Sequence, residues 1–151
     1  MAYEMRPSFS SSMRSTAKGG SASAASDWGA QTTGLAVGAS EKIVVTGCIF
    51  GPTDFGGGPI GKYGSVVVVE LAPDGSHLWS RAFDGSGGCM GPSAAVDAAG
   101  NIVLAGTLPS TGDQLTLGTT TVTSPDMFVA RLGPTGDVLW AKPIGDHAAL
   151  A

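Results

Sequence analysis

This sequence is poor in most residue types that mark a chemistry. It has two cysteines, two histidines and three tryptophans, and only 13% of it is charged, roughly half the usual share for soluble chains. That shortage excludes a charged disordered tail and a Leu/Ala/Glu/Lys helical bundle. Eight lysines and arginines against twelve acids leave a net charge of −4, with the basic residues scattered. Nucleic-acid binders need a basic stripe, because phosphate neutralisation dominates their affinity, so no nucleic-acid partner is expected. No apolar run approaches the roughly 18 residues of a membrane span. The strongest, Val66-Val67-Val68-Val69, has strand length. The opening Met1-Ala-Tyr-Glu-Met-Arg6 precedes no apolar core and does not read as a secretory signal. Either the chain is not exported by that route or its true start lies upstream.

What the chain does have is turn formers, 24 glycines and 9 prolines in 151 residues, which with 42% apolar residues predicts a turn-rich all-β protein. Residues 1–26 stand apart: Ser, Ala and Gly fill 15 of those 26 positions, and Arg6, Arg14 and Lys18 against Glu4 give the block +2. With little apolar periodicity, it is expected to be a flexible arm.

From Asp27 onward the sequence repeats. Ala36-Val37-Gly-Ala-Ser-Glu-Lys-Ile43-Val44-Val45-Thr-Gly47 matches Ala95-Val96-Asp-Ala-Ala-Gly-Asn-Ile102-Val103-Leu104-Ala-Gly106 at an offset of 59. Further on, Val68-Val-Glu-Leu71-Ala-Pro73-Asp-Gly75-Ser-His-Leu78-Trp79-Ser-Arg81 matches Val129-Ala-Arg-Leu132-Gly-Pro134-Thr-Gly136-Asp-Val-Leu139-Trp140-Ala-Lys142 at 61. The copies occupy residues 27–88 and 89–146, and 147–151 resembles the opening of a third, cut short. Each copy predicts four strands: near 34–38, 42–50, 65–71 and 77–83, then near 94–97, 101–108, 126–132 and 138–144. Pro-x-Gly and Asp-x-x-Gly turns join them, and Pro143 fits an outer edge, where a missing N–H costs little. Four antiparallel strands per repeat is the arrangement of a β-propeller blade.

The segments Asp97-Ala-Ala-Gly-Asn-Ile-Val-Leu-Ala-Gly106, Thr53-Asp-Phe-Gly-Gly-Gly-Pro59, Asp126-Met-Phe-Val-Ala-Arg-Leu132 and the two Leu-Trp-x-(Arg/Lys) ends resemble the bacterial SBBP-type β-propeller repeat. The likeness covers about residues 27–146. The first copy departs from the pattern at Gly38–Lys42 and at Ser65. The resemblance implies propeller architecture and a surface or extracellular location; it implies no chemistry.

Candidate sites are few. His77 aligns with Val138 and His147 stands alone, so no metal site is expected. Gly91-Pro-Ser93-Ala-Ala95 is not a nucleophile elbow. Gly56-Gly57-Gly58 lacks the residues that follow a phosphate loop and reads as a hairpin loop. Asp54, Asp74, Asp97, Asp113 and Asp137 match no calcium loop, and Asx turns account for them. Cys48 and Cys89 are predicted on the same rim of adjacent blades; a disulfide between them is open if the compartment is oxidising, and buried or free thiols are the alternative. Trp79 and Trp140 recur with the repeat. Packing between sheets explains that recurrence, and stacking on sugars is the other reading. If the chain binds a ligand, Trp79, Arg81, Trp140 and Lys142 are the candidate residues.

Two blades leave two apolar faces wet, and monomers rarely expose patches above a few hundred Å². Self-association or further blades are therefore expected, with a glycan or protein as ligand and no cofactor. The expected function is a non-enzymatic surface or extracellular binding or structural module. The alternatives are a lectin completed by homo-oligomerisation, as in small propeller lectins, and a fragment of a quinone-dependent dehydrogenase-like propeller.

Overall fold

The computed structural model describes residues 29–86, 91–108, 112–123 and 127–145. The expected arm, Cys89, Asp126 and the tail containing His147 lie outside the described residues.

All the regular structure among the described residues is β. The first copy supplies β1 (Ala30–Val37), β2 (Ile43–Phe50), β5 (Tyr63–Leu71) and β6 (His77–Phe83), hydrogen-bonded in the order β1-β2-β5-β6. The second supplies β7 (Ser93–Val96), β8 (Ile102–Thr107), β11 (Met127–Leu132) and β12 (Val138–Ile144), ordered β12-β11-β8-β7. Both sheets are antiparallel throughout, with connections between chain neighbours. Pro143 lies on β12, an edge strand, as its missing N–H requires.

The two sheets agree pair by pair. Val68↔Arg81 and Glu70↔Trp79 recur as Val129↔Lys142 and Arg131↔Trp140. Val44↔Glu70 recurs as Val103↔Arg131, and Ala36↔Val44 as Ala95↔Val103. Even the irregularity recurs: one residue is bulged out between the third and fourth strands, Leu78 in one sheet and Leu139 in the other. The hairpin turns close alike, Gly75 N–H and Gly136 N–H donating to the carbonyls of Ala72 and Gly133.

Each copy also carries a small hairpin between its second and third long strands, β3 (Thr53–Asp54) with β4 (Pro59–Ile60) and β9 (Gln114–Leu117) with β10 (Thr120–Thr123). The Gly-rich loop was expected to turn back as a hairpin; strands within the second copy's central loop were not expected. Alternating polar and apolar residues in Gln114–Leu117 give β9 its buried leucines.

The core lies between the sheets. Val44, Val66, Val68 and Phe83 of the first meet Ile102, Leu104, Phe128, Ala130 and Leu132 of the second, and Leu115, Leu117 and Val122 of β9–β10 join the cluster. A smaller cluster on the opposite face of the first sheet packs Phe55 against Ile49, Val67 and Val69. The four valines of β5 are therefore buried on both faces, whereas in β11 buried residues alternate with exposed or half-buried ones along Met127–Leu132. A continuous apolar run marks a strand covered on both sides, and an alternating one marks a strand covered on one.

Candidate binding surface

The contact between the sheets is close at one edge and polar at the other. At β1 and β7, Pro92 carbonyl accepts from Thr33 Oγ1 and Thr46 Oγ1, both at 2.8 Å. A Cβ on Gly34 would lie 3.1 Å from Ser93 Cα, so the backbones touch there. At the far edge the Pro134-Thr135-Gly136 turn of the second sheet rests on β6. Trp79 Nε1 donates to Glu70 Oε1 (2.8 Å) and to Pro134 carbonyl (3.0 Å), and Arg81 donates to Thr135 carbonyl (3.1 Å). Gly136, at φ +90°, lies so near that a Cβ would come within 2.8 Å of both Trp79 and Arg81.

Glu70 is the residue that sequence reasoning missed. It is 3% exposed, faces the same way as Val66 and Val68, and receives the Trp79 indole with Lys42 Nζ 4.0 Å away. The signal was available: a lone acid at the end of the valine run, in phase with the buried valines.

Among the described residues, no other strand packs on the equivalent face of the second sheet. Trp140 is 43% exposed, Met127 52% and Ile144 44%, and Lys142 is exposed beside them. A shallow trough of about 350 Å³ opens over Ala105, Thr107, Met127, Val129 and Ile144. Thus the four candidate residues divide: Trp79 and Arg81 contact the Pro134–Gly136 turn, while Trp140 and Lys142 face outward.

Where Glu70 stands in the first sheet the second has Arg131, and where Gly38 stands it has Asp97. These two exchanges belong together, because Arg131 donates to Asp97 Oδ2. Asp97 also accepts from the Asn101 side chain (3.0 Å) and from the Asn101 and Ala99 N–H groups (2.9 Å each). These bonds, Asn101's first, hold its carboxyl below the usual range, with the Arg131 charge adding to them. Asp74 is lowered likewise, chiefly by the Ser76 hydroxyl and then the Ser76 N–H. A second cavity, about 180 Å³, lies on this rim between the turns at 38–41 and 97–100, lined by Ser40, Lys42, Glu70, Asp97 and Pro134 among others.

The remaining motifs have structural roles. Asp54 Oδ1 accepts the Gly56 and Gly58 N–H groups at 2.8 and 2.9 Å, so these donors of the Gly-rich loop already hold a carboxylate of the chain. His77 Nε2 is 3.1 Å from Ser80 Oγ, and Asp137 accepts from Thr135 Oγ1. Among the described residues, no cluster of three or more metal-ligating side chains occurs and no helix is long and apolar enough to cross a membrane. Cys48, at the end of the row Val44-Thr46-Cys48, is buried and disulfide-bonded.

No protein-family model matches the chain, and no curated protein matches it.

Proposed function

We propose that the chain is a non-enzymatic repeat module of the β-propeller type, each four-stranded sheet being one blade, and that it serves as a binding or structural segment outside the cell or on its surface. The observation that carries this is the role of the recurrent Trp and basic residue. In the first sheet, Trp79 and Arg81 direct their N–H groups to the backbone of the next sheet's turn, so what the repeat preserves there is a stacking contact. The SBBP-like sequence pattern supports the same reading and the extracellular location.

A covalent tandem tests it. Two copies of residues 27–146 joined head to tail should unfold at higher temperature than one, because each added interface between stacked repeats adds stability. A tandem melting at the temperature of the single unit would overturn the blade reading.

The exposure of Trp140 beside Lys142 favours a second reading, a lectin. Glycan-array binding that is lost in Trp140→Ala, with an unchanged melting curve, would establish it.

A further inference from the structure

We propose that the open face of the second sheet is the docking site for a second copy of this chain, which seats its own first sheet there head to tail. The incoming copy's Pro73-Asp74-Gly75 turn then rests on Trp140 and Lys142. This rests on the reading of the sheets as stacking blades, and it commits to a partner and a contact.

The molecule contains the template for the contact. The first sheet presents Val44, Val66, Val68, Trp79, Arg81 and Phe83 to the second sheet. At the same register positions the second sheet turns outward the exposed Met127, Trp140, Lys142 and Ile144 and the half-buried Val103 and Val129. The row keeps its apolar character, its indole and its cation. The surface that would meet it is exposed in each chain along β1; at β5, Val67 and Val69 already lie under Phe55 of the β3–β4 loop, as Phe128 and Ala130 lie with the β9–β10 leucines in the internal contact. Ala94 and Val96, which pack into the internal interface, correspond to Leu35 and Val37, which are 65% and 62% exposed on the first sheet.

The turn completes the match. Pro134-Thr135-Gly136 corresponds to Pro73-Asp74-Gly75, and both glycines adopt left-handed φ, +90° and +88°. Gly136 is pressed against Trp79 and Arg81, whereas a Cβ on Gly75 would meet nothing within 4 Å. Among the described residues, the Gly75 turn has the shape of the Gly136 turn without a sheet against it. Substitution of Thr135 by Asp74 at the centre of the turn places a carboxylate opposite Lys142, where the internal contact has only a carbonyl opposite Arg81. That charge pair is specific to docking between copies.

Two differences make this contact weaker than the internal one. Ala105 replaces Thr46 and removes the hydroxyl that reaches Pro92, and Asp97 replaces Gly38 where Val96 packs closely. The contact is heterologous, so it builds a ring if the rotation closes and a filament if it does not.

The test is sedimentation equilibrium of the intact 151-residue chain across a concentration series, with Lys142→Glu, Asp74→Lys and the double variant. The wild type is expected to pass from 15.0 kDa to multiples of that mass with rising concentration. Each single variant should weaken association about ten-fold or more, and the double variant should recover it. Circular dichroism of each dilute variant confirms folding. A wild type that stays at 15.0 kDa throughout overturns the proposal, as does association that neither charge reversal alters. If the tandem gains stability while the free chain stays monomeric, docking between copies fails and the blade reading stands.

Discussion

Gly136 and Gly75 form a matched pair that isolates the energy of the contact between sheets. They occupy the same position of equivalent turns at nearly the same φ, so alanine at either imposes the same left-handed strain, about 1–2 kcal/mol. At Gly75 that is the whole effect. At Gly136 the new methyl would sit 2.8 Å from Trp79 Cζ3 and 2.8 Å from Arg81 Cγ. The indole must shift, which lengthens its bond to Pro134 and disturbs the Arg81–Thr135 bond. Overpacking of this kind costs about 1–3 kcal/mol, and each weakened bond up to about 1 more. Gly136→Ala should therefore be less stable than Gly75→Ala by about 2 kcal/mol, or roughly 8 °C in Tm for a domain of this size. Thermal unfolding followed by circular dichroism, at a concentration where the chain is monomeric, measures both. Equal losses would refute the argument, because they would mean that the turn does not bear on Trp79 and Arg81 in solution.

The two tryptophans should also part company in dilute solution. Trp79→Ala, which removes a half-buried ring and leaves buried Glu70 without its indole donor, should cost about 2–3 kcal/mol in chemical denaturation, and Trp140→Ala less than about 1. Glu41 stands at φ 64° where the other copy has Gly100, so Glu41→Gly relieves about 1–2 kcal/mol of strain against about 0.5–1 of added chain entropy; Tm should rise slightly. Acid should destabilise the fold through Asp74 and Asp97. Their folded pKa values lie below the unfolded ones, so their contribution is complete above the unfolded value of about 3.9 and is lost as pH falls through the folded value. A pH series of melting temperatures should decline below about pH 4, less steeply in Asp97→Asn.

The long strands were legible in the sequence because each copy alternates or runs apolar between Gly and Pro turns, and β6 and β12 fall at the predicted bounds. The bulges at Leu78 and Leu139 were hidden, since an extra residue beside a tryptophan leaves the apolar count of the strand unchanged. The β9–β10 hairpin was hidden for another reason. Its buried leucines serve a contact with the first sheet, which a reading confined to one copy does not weigh. The same limit applies to Trp79 and Trp140. Recurrence assigned both to packing, and periodicity gave no reason to separate them. Their difference comes from place in the stack: one has a neighbouring sheet over it and the other has solvent. Glu41, at a glycine-like φ, shows the converse, a conformation imposed by the hairpin's register on a residue that does not favour it.

The interface between the sheets is a wedge. At its thin end β1 and β7 approach until Gly34 leaves room for nothing more than a hydrogen, and at its thick end Phe83 and the β9–β10 hairpin hold the outer strands apart. The opening angle between successive sheets is then set by how much side-chain volume the hairpin inserts. Because that hairpin lies in a loop between long strands, its length can vary while the strand pairing within each sheet is kept. A longer or bulkier hairpin opens the fan and a shorter one closes it. Curvature of any array built from these repeats is thus written in the loop that varies between the two copies.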